Sequence, residues 1–210
     1  MLQIECSPNY KIIMKLKLVE SELTNAKNLL QGYTNNVTII GSARTSQNDI
    51  LCLQARKAGK LLSDKGFNVL TGGGPGIMEA ANHGAFEGKS ASIGFNIDLE
   101  HEQSPNPFLD ESITFQHFFT RKYSMMHYSS ACICFPGGFG TGDELLEILT
   151  LIQTKKIQGI DVFLYGVEFW QPLVTWFEEL EKIKYVNSDY LESLYILDDI
   201  NQIVNLIAES

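Results

Sequence analysis

Residues 131–153 read ACICFPGGFGTGDELLEILTLIQ, and this stretch decides the fold. Residues 131–135 are a short apolar run, which favours a buried strand of a parallel sheet. Residues 136–141 are a glycine-rich turn, and residues 143–153 have the apolar spacing of a helix. A strand, a glycine turn and a helix in this order form the unit from which parallel sheets covered by helices are built.

The same unit recurs along the chain. The pattern predicts strands at residues 37–42, 67–70, 90–96, 113–115, 131–135 and 162–165, and helices at residues 10–31, 49–64, 77–88, 118–129, 143–153, 170–182 and 199–208. We therefore predict an α/β fold, a Rossmann-like parallel sheet with helices on both faces, plus an N-terminal helical extension. Residues 1–36 are predicted as the extension, and residues 37–210 as the Rossmann-like domain that binds the ligand.

Composition limits the classes of partner and location. The chain has 210 residues, with 16 Lys plus Arg against 25 Asp plus Glu, so its formal net charge is −9. Because nucleic-acid affinity depends on Lys and Arg, we expect no nucleic-acid partner. We also expect no membrane partner, since no apolar run reaches the length of a membrane span. The 4 cysteines form no CxxC pair or zinc-ligand spacing, so we expect reduced thiols, no metal and a cytoplasmic location.

A first glycine turn, TGGGPGIME at residues 71–79, follows a predicted strand and opens a predicted helix. Such a turn lets backbone approach a ligand, and the helix start offers free N–H groups. It lacks the lysine of a P-loop, and a plain tight turn is an equal alternative. Six residues here and after the first strand are candidates for contact with phosphate or ribose: Gly41, Ser42, Gly73, Gly74, Met78 and Glu79.

The second glycine turn adds a hydroxyl at Thr141 and two carboxylates, Asp143 and Glu144, which we predict in the first helical turn. Acidic side chains there have a simple alternative role, since they stabilise the helix dipole. Two anion-binding turns at one sheet edge nevertheless indicate a phosphorylated ligand. Arg121 and Lys122 are a cationic pair in an aromatic stretch, where Arg121 either binds phosphate, holds a neighbouring carboxylate or is simply solvated.

These segments resemble the Lonely Guy (LOG) family of nucleoside 5′-monophosphate phosphoribohydrolases, which are often mislabelled as lysine decarboxylases. The motif PGGxGTxxE is matched from Pro136 to Glu144, the motif GGGxxGxM from Gly72 to Met78, and the Arg-Lys pair by Arg121 and Lys122. The segments GGGPGIMEAAN and FPGGFGT are similar to the bacterial branch of the family.

The resemblance implies hydrolysis of the N-glycosidic bond of a nucleoside 5′-monophosphate, either AMP-like or of the cytokinin-riboside type, to free base and ribose 5-phosphate. It implies Arg121 and Glu144 as catalytic residues, no cofactor, and a homodimer or higher homo-oligomer with the site near the subunit boundary. The substrate-binding residues that it implies are Glu102, Arg121, Lys122, Gly138, Phe139, Gly140, Thr141, Gly142, Asp143, Glu144 and Thr150.

Two other functions stay open from the sequence. One is a non-catalytic protein of related fold that binds a nucleotide or the molybdenum cofactor. The other is decarboxylation with pyridoxal phosphate, which needs a lysine that forms a Schiff base. Lys122 is the only lysine near the predicted site.

Overall fold

A computed structural model describes residues 16–99 and 105–209 of the chain. The helices are α1 Leu16–Leu30, α2 Ile50–Asp64, α3 Ile77–Phe86, α4 Phe118–His127, α5 Phe139–Gln153, α6 Val167–Lys182 and α7 Ile200–Glu209. The strands are β1 Asn36–Ile40, β2 Asn68–Thr71, β3 Ser92–Ile97, β4 Glu111–Phe115, β5 Ala131–Cys134, β6 Asp161–Tyr165 and β7 Leu194–Leu197. A short 3₁₀ helix covers Ser188–Ser193.

The strands of the described residues form one seven-stranded parallel sheet in the order β4-β3-β2-β1-β5-β6-β7. The chain builds the sheet outward from β1 to β4, and then returns to the other side of β1 with β5. Val37 pairs with Ala131 and Ile40 with Cys134 in the register of β1 and β5. The strand order reverses between these two strands, and ligands of open parallel sheets bind at the carboxyl ends beside such a point.

Helices cover both faces of the sheet, as predicted. Alternate residues of β5 face opposite sides: Cys132 and Cys134 join a core with side chains of α1, α4, α5 and α6, whereas Ala131 and Ile133 join a core with α2, α3 and α7. This alternation follows from the two-residue period of a strand. Since both faces are buried, β1, β2 and β5 are made almost wholly of buried residues, as their apolar runs indicated.

The predictions of secondary structure were wrong for strand β7 and for the starts of helices α5 and α6; helix α6 begins at Val167 rather than at residue 170. Strand β7 was missed; its four residues are all partly exposed at the edge of the sheet, and no glycine turn follows it. Helix α5 begins at Phe139 rather than at residue 143, so Asp143 and Glu144 lie in its second turn. The glycines at 140 and 142 suggested a turn, but Gly140 is exposed and Gly142 partly exposed in the first helical turns, where a Cβ on either would meet nothing within 4 Å.

The predicted N-terminal helix is described from Leu16 onward and packs against α4 and β4. Ala26 and Leu30 of this helix are buried in the core shared by α4, α5 and α6. Within residues 16–99 and 105–209, no helix is long and apolar enough to span a bilayer.

Candidate active site

The loop after β1 connects the two glycine turns at the carboxyl edge of the sheet. Its Ser42 N–H donates to the carbonyl of Pro136 in the second turn at 3.1 Å. The Ser42 carbonyl accepts from the N–H of Ile77, the first residue of α3, at 3.0 Å. Gly41 and Ser42, both predicted site residues, therefore lie between the turn after β2 and the turn after β5.

The turn after β2 is packed against neighbouring side chains. Gly73 N–H donates to the Thr71 hydroxyl at 2.9 Å, and the Gly73 carbonyl accepts from Asn96 Nδ2 at 3.1 Å and from Asn106 N–H at 2.9 Å. The Gly74 carbonyl accepts from Asn106 Nδ2 at 3.2 Å. Asn96 and Asn106 were not predicted as site residues; the only sequence signal is that Asn96 lies near the end of an apolar strand.

The other predicted residues of this first turn lie around it. The Met78 side chain is next to the glycines, since a Cβ on Gly72 would lie 2.7 Å from its sulfur. Glu79 is in the first turn of α3 and is partly exposed. These residues form one wall of the edge at which the two turns meet.

The turn after β5 is open. Gly138 is the N-cap of α5, and the first backbone bond of the helix runs from Gly142 N–H to the Gly138 carbonyl at 3.0 Å. The N–H groups of Phe139, Gly140 and Thr141 therefore have no intrahelical partner. The side chain of Phe139 is 100% exposed, and a Cβ on Gly138 or Gly140 would meet nothing within 4 Å. An exposed helix start of this kind can bind an anion.

The Arg121 guanidinium lies between the two turns and pairs with Glu144. Its Nη2 donates to Glu144 Oε1 at 2.8 Å, and the two side chains are only 10% and 12% exposed. A Cβ on Gly72 would lie 3.0 Å from the same Nη2, so that glycine makes room for the guanidinium. Arg121 is thus not a solvated surface residue; it holds a neighbouring carboxylate. Its Nε–H has no partner among the described residues, so the guanidinium keeps unused donor capacity.

The Glu144 carboxyl is under two opposed influences. Burial raises its pKa, while the charge and hydrogen bond of Arg121, together with the charge of Lys122, lower it. Asp143 raises it slightly further, and the net result is a pKa above the usual 4.5. Cys134 of β5 is also close enough to interact with this carboxyl. Perturbed acids of this kind are enriched at functional sites.

Lys122 forms a second ion-pair cluster with the side chains of α5. Its Nζ lies 2.8 Å from Asp143 Oδ2 and 2.5 Å from Glu147 Oε2. Burial lowers the pKa of Lys122, but the hydrogen bonds and charges of these two carboxylates outweigh burial, and the pKa is raised. Asp143 and Glu144 lie in the second turn of α5, where the helix dipole acts weakly. Each of them pairs with a cation of α4.

Glu102, a predicted substrate-binding residue, lies outside the described residues. Thr150, another predicted substrate-binding residue, is not brought to this site. Thr150 is six residues after Glu144, about 9 Å further along α5, and its hydroxyl donates to the Leu146 carbonyl at 2.7 Å. It lines a separate groove of about 260 Å³ whose walls are mostly apolar: Leu146, Leu149, Gln153, Trp176, Phe177, Leu180 and Val186. That groove holds no acid-base pair, so we locate the candidate site at the glycine turns.

Within residues 16–99 and 105–209, no three His, Cys, Asp or Glu side chains are grouped as metal ligands. The described site offers three sets of polar groups, namely the Arg121–Glu144 pair, the Lys122 cluster and the free N–H groups at the start of α5. They are suited to binding an anionic group next to a carboxylate.

Sequence comparisons point to one family. A family model with the description "Possible lysine decarboxylase" matches residues 78–207. The pyrimidine/purine nucleotide 5′-monophosphate nucleosidase of Escherichia coli (strain K12) is 32% identical over 160 residues, which are 71% of this chain and 35% of that protein. The cytokinin riboside 5′-monophosphate phosphoribohydrolase LOG of Oryza sativa subsp. japonica is 32% identical over 112 residues, which are 50% of this chain and 46% of that protein. The chain thus spans between a third and a half of the length of these relatives.

Structure comparison supports the fold. The molybdenum cofactor carrier protein of Chlamydomonas reinhardtii matches with a TM-score of 0.63 at 20% identity, over 84% of this chain and 97% of that chain. At this identity the match shows a shared fold.

Proposed function

The chain belongs to the family described as possible lysine decarboxylase, the LOG-type family that its motifs resemble, and from that premise we propose that it hydrolyses nucleoside 5′-monophosphates. The products are the free base and ribose 5-phosphate. The proposal rests on one observation above all. A buried Arg121–Glu144 pair lies between two glycine turns, next to the open N-terminus of α5.

In this proposal the substrate phosphate binds the free N–H groups at the start of α5, from Phe139 to Thr141. These groups and the helix dipole attract the phosphate without a metal ion. The exposed backbone there lets phosphate oxygens approach closely, since Gly138 and Gly140 carry no side chain. The ribose then extends from the helix start toward Glu144, one turn further along α5.

The Glu144 carboxylate acts on the ribosyl carbon. Water adds to C1′ as the bond to the base breaks, the bonding electrons leave with the base, and the base takes up the proton that water loses. Positive charge develops on the ribosyl group in this step, and a nearby carboxylate stabilises it or orients the water. Arg121 keeps Glu144 oriented and counteracts the effect of burial on its pKa.

Amino-acid decarboxylation, which the family description suggests, is poorly supported by Lys122. A Schiff base with pyridoxal phosphate requires a neutral amine. The Lys122 ammonium is held by Asp143 and Glu147, and its pKa is raised, so the cationic form is favoured. This lysine is therefore better suited to holding two acidic side chains of α5 than to covalent chemistry.

We propose in addition that residues 37–210 are the catalytic domain, that residues 1–36 are its extension, and that the protein is a cytoplasmic homodimer or higher homo-oligomer. Aromatic side chains near the site support assembly: Phe118, Phe119 and Tyr123 of α4 are about half exposed. Large exposed apolar patches commonly mark interfaces. Sedimentation that finds a monomer alone at the concentration of the activity assay would contradict this part of the proposal.

The experiment is an assay of the purified protein with AMP, GMP, CMP and UMP, in which free base and ribose 5-phosphate are both quantified. We expect equal amounts of the two products from at least one substrate. Tight binding of a nucleotide or of the molybdenum cofactor without turnover would instead favour the non-catalytic alternative. A bound aldimine absorbance band in the purified protein would favour the decarboxylase.

A further inference from the structure

Helix α1 contributes a buried carboxylate, Glu22, whose side chain is 6% exposed. It accepts hydrogen bonds from the Gln116 N–H at 2.6 Å, from the Thr120 hydroxyl at 2.6 Å and from His117 Nδ1 at 3.0 Å. All three donors lie at the start of α4. A single side chain of the N-terminal extension therefore contacts three residues at the start of the helix that carries Arg121.

A buried carboxylate is costly unless donors satisfy it, and α4 supplies them. Burial raises the pKa of Glu22, but the hydrogen bonds from Thr120, Gln116 and His117 outweigh burial, so the pKa lies below its usual value and the carboxylate stays ionised. His117, the N-cap of α4, makes no capping hydrogen bond to its own helix through its side chain. The carboxylate from α1 provides negative charge at this helix start instead.

Arg121 belongs to the turn that Glu22 holds. The Arg121 backbone N–H donates to the His117 carbonyl at 3.3 Å, which is the first helical bond of α4. Arg121 is also the residue directly after Thr120. The Thr120 side chain is completely buried against α1, whereas the Arg121 side chain extends to Glu144 on α5. A shift or rotation of this turn therefore moves the guanidinium relative to the Glu144 carboxylate.

We propose that Glu22 is a positioning residue, which holds the first turn of α4 so that the Arg121 guanidinium stays against Glu144. The N-terminal extension thereby acts on the site without contacting the substrate. The packing of α1 does not require this charge, since Ala26 and Leu30 already bury the helix in the core. Glu22 holds α4 in this way whatever the chain's activity, but the consequence for catalysis rests on the proposed function.

The test is the titration of Glu144, measured by the side-chain carboxyl ¹³C shift in the full chain and assigned with Glu144→Gln. In Glu22→Gln we expect the Glu144 midpoint to rise by about half a pH unit or more, because a displaced Arg121 no longer lowers the pKa. Loss of the Glu22 charge by itself acts in the opposite direction, since removing an anion lowers the pKa of its neighbours. An upward shift therefore reports the position of Arg121.

The matched control is Glu20→Gln, which removes an exposed carboxylate from the same helix and is expected to leave the midpoint unchanged. Thr120→Val removes one of the three donors with no change of charge and should shift the midpoint in the same direction. An unchanged midpoint in Glu22→Gln would overturn the proposal. Unfolding of both Glu22→Gln and Thr120→Val would also overturn it, because the contact would then serve folding in general.

Activity gives a separate measurement. If the chain is a nucleosidase, the acid limb of its kcat/KM profile should move upward in Glu22→Gln by the same amount as the titration. A smaller folded fraction would lower the rate without moving that limb. A wild-type protein without activity would refute the proposed function and leave the titration to decide the role of Glu22.

Discussion

The two glycine turns, residues 72–76 after β2 and residues 136–141 after β5, are both rich in glycine but use their backbone groups differently. In the first turn, Gly73 exchanges hydrogen bonds with Thr71, Asn96 and Asn106. In the second turn, the N–H groups at the start of α5 are free, and Gly138 and Gly140 are exposed.

The difference teaches that glycine content alone does not locate a ligand. The glycines of the first turn are needed where the protein packs closely against itself: Gly76 has a φ of +66°, and a Cβ on it would lie 2.3 Å from the Ser42 carbonyl oxygen. In the second turn Gly137 is also packed, since a Cβ on it would lie 2.1 Å from the Thr141 hydroxyl oxygen, but a Cβ on Gly138 or Gly140 would meet nothing within 4 Å. The first turn is a wall that also accommodates Arg121, and the second turn is the surface to which an anion can bind.

The largest expected effect concerns the carboxylates beside the two turns. We expect Glu144→Gln to lower the rate of base release about 100-fold or more, because it removes the charge that stabilises the ribosyl cation. Glu79→Gln removes the carboxylate in the first turn of α3, which we predict to contact ribose or phosphate rather than the reacting carbon, so its rate should fall by less than that of Glu144→Gln. The measurement is kcat/KM with the best substrate of the nucleotide panel.

Two outcomes would break the comparison. Equal losses in the two variants would mean that both turns contact the reacting group. Full activity of Glu144→Gln would mean that the carboxylate next to the second glycine turn has no catalytic role. Circular dichroism of both variants serves as the control for folding.

The next effect is on stability. Gly76→Ala forces a side chain into a left-handed backbone conformation and against the backbone of the loop after β1, so we expect a loss of about 3 kcal/mol in the free energy of unfolding. Gly138→Ala places a methyl group in open space in an extended conformation, and should cost less than about 1 kcal/mol. Urea denaturation measures both, and similar losses would show that the second turn is as tightly packed as the first.

The sequence allowed the fold to be predicted because most of its elements have strong local signals. Strands β1, β2 and β5 are apolar runs, and α2 and α3 have regular helical spacing. Strand β7, LYIL at residues 194–197, is also a short apolar run, but unlike β1, β2 and β5 it is only partly buried and no glycine turn follows it. The start of α5 was misplaced because an exposed first turn with glycines has the composition of a loop.

The site was predictable only in part, for a different reason. Motifs made Arg121 and Glu144 candidates, but their contact joins residues 23 positions apart and depends on how α4 packs against α5. The contact of Glu22 with Thr120 spans 98 positions, and no local pattern marks Glu22 as buried. Whether a glycine turn is packed or open likewise depends on distant side chains such as Asn96 and Asn106.

The smallest effect sharpens the comparison within the second turn. In Gly140→Ala, a methyl group enters the first turn of α5, where it meets no protein atom. Alanine is favoured over glycine in a helix, so we expect a gain of about 0.5 kcal/mol in the free energy of unfolding. Since the Cα–Cβ bond of a helical residue tilts toward the N-terminus, the methyl group also approaches the free N–H groups. Affinity for ribose 5-phosphate, measured by calorimetry, should therefore fall about tenfold, or about 1.4 kcal/mol.

A gain in stability together with a loss of affinity in Gly140→Ala distinguishes a binding surface from a packed turn. A packed turn would lose stability on receiving a methyl group, and a solvated turn without a ligand would gain stability and keep its affinity. Gly32→Ala is the control, because Gly32 also has open space around its Cβ and lies after α1, away from both turns. Unchanged affinity in Gly140→Ala would mean that the phosphate binds elsewhere. The first turn would then be the alternative site, although its Gly73 N–H already donates to the Thr71 hydroxyl.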